Sequence, residues 1–167
     1  MKWALWQDCD TTLTLQLRGY APTGDEDRAL GVGHASIEPG LLLFKRNCQY
    51  NFEGELRYWI PIDGTPGREG PVLRYGAGVS RQYCFGCQPV TPVVEVVGWT
   101  VIDGAARFLS PGGPVVEDVS GDTIVNLKIG ARTPITCCSE IYAGYGQSLT
   151  GDRWYRDILR IEWRRSF

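Results

Sequence analysis

The chain has 167 residues, 43% of them hydrophobic and 22% charged, with a formal net charge of −2. That length suffices to bury roughly two thirds of the surface the unfolded chain would expose, so no staples are needed for folding. The pI near 5.4 excludes the broad basic surface that general nucleic-acid binding uses to displace counterions.

Gly (21) and Pro (10) make up a little under a fifth of the chain, which is above average usage and below the level of a disordered segment. With abundant Val, Ile, Thr, Trp and Tyr, this suits short strands joined by turns. The expectation is one all-β domain over residues 1–167, a β-sandwich or barrel-like antiparallel fold with long Gly/Pro loops and at most one or two short helices. No run reaches 18 consecutive apolar residues, and Gln7, Asp8 and Asp10 break any secretory apolar core behind Met1. These features predict no signal peptide, synthesis in the cytoplasm with reduced cysteines, no membrane partner, and incorporation into a virion as one destination.

In chain order, residues 3–6 form a first strand or an arm, and Thr11 to Arg18 alternate with Leu13, Leu15 and Leu17 on one face, a half-buried strand. Residues 21–40 read as a long exposed loop with one helical turn at 25–30. Its acidic triplet Asp25-Glu26-Asp27 lacks the ligand spacing of an EF-hand, and its His34, the only histidine, reads as a surface or structural residue. Leu41 to Lys45 suits a buried strand. The strand through Leu56, Tyr58, Ile60 and Ile62 contains Pro61, which points to a sheet edge or a bulge.

The stretch Trp59-Ile60-Pro61-Ile62-Asp63-Gly64 returns forty residues later as Trp99-Thr100-Val101-Ile102-Asp103-Gly104, each a strand running into a turn. Two independent hairpins or an old duplication both account for the pair. Gly76-Ala77-Gly78 predicts a hairpin between Val72–Tyr75 and Val79–Tyr83, and Val93–Ile102, the most β-branched stretch, predicts a central core strand with a bulge at Gly98. Thr123–Ile129 and Pro134–Tyr142 follow. Ile158–Arg165 is read as a strand, against a helix beginning at Asp152.

The sharpest motif is Cys84-Phe85-Gly86-Cys87, whose spacing can place two thiolates on one structural zinc ion, with Cys48, Cys137 or Cys138 as further ligands. Adjacent cysteines such as Cys137-Cys138 rarely serve one metal, and the alternatives are free thiols buried as small hydrophobes or a pair that can oxidise. No other cofactor is expected. Gly78-Val79-Ser80-Arg81-Gln82 lacks the closing glycine of a nucleophile elbow, and the glycine pairs lack phosphate-loop continuations.

Six Trp and eight Tyr exceed the needs of a core this size. At the C-terminus, Arg160, Arg164 and Arg165 with Trp154 and Tyr155 form a candidate partner-binding surface, since guanidinium forks suit an acidic partner. The leading expectation is a non-enzymatic structural or assembly protein that packs against itself or other subunits. In texture it resembles phage virion components such as capsid decoration (cement) or tail proteins, without matching a family motif. A carbohydrate-binding β-sandwich and an enzyme with a dispersed site are the alternatives.

Overall fold

A computed structural model describes residues 1–24, 33–62, 70–86, 88–110, 113–151, 153 and 155–166, with backbone alone at 106–110 and 113–115. Twelve strands account for the fold: β1 (Lys2–Gln7), β2 (Thr11–Tyr20), β3 (Ala35–Asn47), β4 (Tyr50–Ile62), β5 (Val72–Arg81), β6 (Tyr83–Phe85), β7 (Gln88–Val101), β8 (Ala105–Ser110), β9 (Gly113–Asp118), β10 (Thr123–Thr136), β11 (Ser139–Ser148) and β12 (Asp157–Arg165). No helix occurs among the described residues, and the chain is all-β as expected. One antiparallel sheet runs in the order β1-β2-β3-β4-β5-β7-β10-β11-β12, with β6 on the start of β7 and β8–β9 as a separate hairpin.

The connections sort by end. At one rim they are short. Asp8 Oδ1 accepts the amides of Asp10 (2.9 Å) and Thr11 (2.7 Å) to turn β1 into β2, and those amides, then the Trp6 indole, hold the Asp8 carboxyl below the usual carboxylate range. Cys48 takes a left-handed φ of 54° between β3 and β4, and Gly86 (φ 63°) turns β6 into β7. Residues 137–138 join β10 to β11. At the opposite rim the strands end at Tyr20, Ala35, Ile62, Val72, Val101, Thr123, Ser148 and Asp157, farther apart in sequence, with the β8–β9 hairpin between Val101 and Thr123.

The sheet is curled. Thr12 and Thr14 of β2 line the same cavity as Arg160 and Arg164 of β12, although these strands lie seven steps apart in the sheet order. In a flat sheet, spacing of about 4.8 Å per strand would hold them roughly 34 Å apart. Of the two architectures expected, the single continuous curled sheet is the barrel-like one. The outer edges of β1 and β12 have no strand partner among the described residues.

Register assigns every strand residue to a face. In β3 the buried positions are Ser36, Glu38 and Gly40, while Ile37, Leu41 and Leu43 are exposed. Direct pairing carries the face of Ile37, Leu41 and Leu43 across the sheet: Leu15, Leu41, Leu56, Tyr75 and Gly98 form one row, the last buried under the Tyr75 ring, and Val79, Val94, Ile129, Tyr145 and Leu159 another. The concave face carries the cavity and the buried side chains; the convex face carries most of the aliphatic ones.

Several expectations are corrected. Residues 35–40 belong to β3, so the loop ends earlier than the glycines and proline suggest. Gly76-Ala77-Gly78 is no hairpin: β5 runs straight through it, with Gly76 and Gly78 on the concave face opposite Glu55 and Glu53. Gly98 is no bulge either. It pairs regularly with Tyr75 and Val125, and a Cβ there would lie 2.5 Å from the Tyr75 ring, which needs the space. Pro61 sits at the end of an interior strand opposite Ser36. The strand reading of 158–165 and the central position of Val93–Val101 in β7 hold. The 25–30 turn, the acidic triplet and Asp63-Gly64 lie outside the described residues.

Candidate functional site

Burial is inverted relative to an ordinary domain. Hydrophobic burial drives most folding, so aliphatic side chains normally point inward. Here the buried hydrophobic residues among those described are Val93 and Tyr142, while Gln16, Ser36, Glu38, Asn126, Ser80 and His34 are buried polar ones. All the strand residues in that set lie on the concave face.

Glu38, fully buried, centres the long-loop half of that face. Its carboxylate accepts a hydrogen bond from Tyr20 Oη at 2.5 Å and from Arg57 and Arg74 Nη1 at 3.4 Å each, with Arg18 at 3.9 Å. Arg57 also pairs with Glu55. Beside this cluster Trp59 Nε1 donates to Ser36 Oγ (2.8 Å), and the buried His34 ring lies 5.6 Å from the Trp59 ring, a structural place and not a surface one. The two tryptophans of the repeated sequence, Trp59 and Trp99, both fall on the concave face, Trp99 directly opposite Arg74 and Trp59 opposite Val72, two residues before it. The short-turn half holds a cavity of about 630 Å³ lined by Thr12, Thr14, Glu53, Glu55, Glu95, Lys128, Arg160 and Arg164 among others. Glycine makes room for bulk here: a Cβ on Gly130 or Gly144 would fall 2.5 or 2.3 Å from the Tyr142 hydroxyl, whose ring covers both.

The convex face is the opposite in character. Lys45, Arg81 and Arg165 bound it at the short-turn end, and Gln147 and Asp157 at the other. Between them the convex positions of β2–β5, β7 and β10–β12 carry no charged residue; they are chiefly Leu, Ile, Val, Ala and aromatic. Ile129 is 54% exposed, Ile161 79% and Trp163 63%. Near the short-turn end a ring cluster crosses this face: Phe52 against Tyr50, the Arg81 guanidinium 5.1 Å from the Tyr50 ring and 4.8 Å from the Tyr83 ring, and Tyr83 against Phe85. The two ring pairs are tilted by 33° and 31°.

Of the predicted partner surface, Arg160 and Arg164 lie on the concave face, where both pair with Glu162 and Arg164 also with Glu140 at 3.5 Å. Arg165 lies on the convex side opposite Ser139. Tyr155 is half-buried in the β11–β12 connection, and Trp154 lies outside the described residues. The arginines are thereby divided between faces and do not form one patch.

Of the predicted metal ligands, Cys87 also lies outside the described residues. Cys9, Cys48, Cys84, Cys137 and Cys138 are free and exposed, which corrects the expectation of buried thiols. No group of three or more His, Cys, Asp or Glu among the described residues is placed to hold a metal ion. Glu38 and its arginines escaped sequence reasoning because they are brought together from β2, β3, β4 and β5. Their sequence signal is weak: Glu53, Glu55 and Arg57 alternate in β4, but β2, β3 and β5 contribute single charges, Arg18, Glu38 and Arg74, among mostly uncharged inward residues.

Comparison with protein-family models, curated proteins and solved structures finds no match.

Proposed function

We propose that this chain forms the wall of a membrane-spanning β-barrel, a non-enzymatic protein whose convex face meets lipid and whose concave face lines a polar interior. The observation that carries this reading is the uncharged, solvent-exposed convex face on a sheet whose charges point inward. Membrane barrels alternate apolar-out and polar-in along each strand, with aromatic residues at the interfaces. Strands of about 9–11 tilted residues cross a bilayer, and β2–β5, β7 and β10–β12 run from 9 to 14 residues. The cluster of Tyr50, Phe52, Arg81, Tyr83 and Phe85 suits the headgroup level, where rings and a snorkelling guanidinium are both at home.

This departs from the expectation of no membrane partner, which rested on the lack of a long apolar run. That criterion addresses helices. No helix of the described residues is long and apolar enough to cross a membrane, which says nothing about strands. In a bilayer the outer edges of β1 and β12 must also be paired, with each other or with a further strand, because hydrocarbon offers no hydrogen bonds.

Those open edges favour a second reading, in which other copies or subunits cover the same apolar face, as in a virion assembly. Flotation separates the two. The chain refolded from urea with phosphatidylcholine vesicles is expected to rise with the lipid in a density gradient and to stay there after an alkaline carbonate wash. Recovery as a water-soluble monomer or oligomer in the dense fractions would overturn the membrane reading.

A further inference from the structure

The cysteines are placed by a rule that a lipid-facing wall does not require. Cys9, Cys48, Cys84, Cys137 and Cys138 all lie in or beside the connections of the short-turn rim, between β1 and β2, β3 and β4, β5 and β7, and β10 and β11, and all are exposed. Within that set one pair is close: the Sγ atoms of Cys137 and Cys138 are 3.4 Å apart.

Adjacent residues in an extended strand point to opposite faces, which is why neighbouring cysteines seldom share an ion. Cys137 and Cys138 escape that restriction because they form the connection itself, after Thr136 has paired with Ser139. The turn is held on two sides: the Cys138 amide donates to Thr136 Oγ1 (3.3 Å), and its carbonyl accepts from the Ser166 amide (2.8 Å). Sulfur–metal bonds of about 2.3 Å across this gap subtend roughly 95° at the ion, whereas a tetrahedral site asks for sulfurs about 3.8 Å apart. The bite therefore suits a bent, two-sulfur chelate better than structural zinc.

We propose that Cys137 and Cys138 form a chelating dithiol for soft, thiophilic cations, of the trivalent-arsenic class, presented at the short-turn rim. Thiolates favour soft ions, and both cysteines are exposed to solvent. With phenylarsine oxide as the probe, two As–S bonds form while the arsenic-bound oxygen leaves as water with the two thiol protons, so arsenic stays trivalent and nothing is oxidised.

The site does not depend on the membrane reading and can be tested on the reduced full chain in detergent, in a Cys84→Ser background that removes the Cys-x-x-Cys sequence as a competing dithiol. One equivalent of phenylarsenic is expected to bind, to resist excess monothiol and to be released by 2,3-dimercaptopropanol. Cys137→Ser and Cys138→Ser are each expected to weaken binding by about 100-fold, the loss of a chelate's effective concentration. Cys9→Ser and Cys48→Ser should leave it unchanged. Binding that survives loss of Cys137 or Cys138, or no stoichiometric binding with both present and reduced, overturns the proposal. Unchanged thermal unfolding of the serine variants shows that any loss is local.

Discussion

Arginine in place of Ile129 is expected to destabilise the chain by about 2–4 kcal/mol when it folds into a bilayer, the penalty for a cation on the lipid face at mid-depth. Ile129 sits near the middle of β10 on the convex face and is half exposed. If that face met water, an exposed substitution of this kind would change stability by no more than about 0.5 kcal/mol. Its neighbour Lys128 shows that charge itself is tolerated in β10, since its side chain lines the inner cavity. The size of the effect therefore depends on which face the side chain points to and not on position in the sequence. Urea unfolding of Ile129→Arg in vesicles of short-chain phosphatidylcholine, beside the unsubstituted chain, reads the difference.

Loss of the Glu38 carboxylate is the second large effect. Removing one partner of a buried ion pair leaves the other charge uncompensated, which costs about 3–5 kcal/mol. Glu38 is fully buried and is approached by Arg57 and Arg74 at 3.4 Å, with side chains 15% and 30% exposed. Arg18, at 3.9 Å and 42% exposed, adds little. Glu38→Ala is expected to lower the denaturant midpoint by that amount, and Glu38→Gln by less, because the amide oxygen still accepts from Tyr20. Equal midpoints for Glu38→Ala and the unsubstituted chain would show that the guanidinium groups repel one another too weakly to need the carboxylate.

The strands were largely legible in the sequence. Leu13, Leu15 and Leu17, then Val125, Leu127 and Ile129, then Leu159, Ile161 and Trp163 each alternate with polar residues, and each set falls on one face of one strand. What alternation leaves open is which face turns inward, because a period of two is the same for a polar interior and an apolar one. Assuming aliphatic residues inside makes Leu41–Lys45 a buried strand, whereas Leu41 and Leu43 are exposed. Curvature decides the matter, and it brings Thr12 and Thr14 of β2 to the same cavity as Arg160 and Arg164 of β12, more than 140 residues away in the chain.

Glycine misled for a related reason. Gly76 and Gly78 punctuate the sequence as a turn would, but they alternate around Ala77 on the inner face, where the neighbouring Glu55 and Glu95 side chains leave little room for a Cβ. The cysteines carried a signal that composition could not resolve: they mark the short turns, and the rim emerges once the turns are known. The two-residue gap between Cys84 and Cys87 is the spacing a metal site favours, whereas the adjacency of Cys137 and Cys138 is unfavourable in a strand and becomes favourable only in the turn between β10 and β11.

The most direct test of the inverted sheet uses single-tryptophan chains in vesicles of lipid brominated along its acyl chains. A chain keeping only Trp163, on the convex face, is expected to lose most of its fluorescence to the bromines, and one keeping only Trp59, on the concave face, to lose little. Equal quenching of the two, or an unquenched Trp163, would contradict a wall that turns its apolar side to lipid.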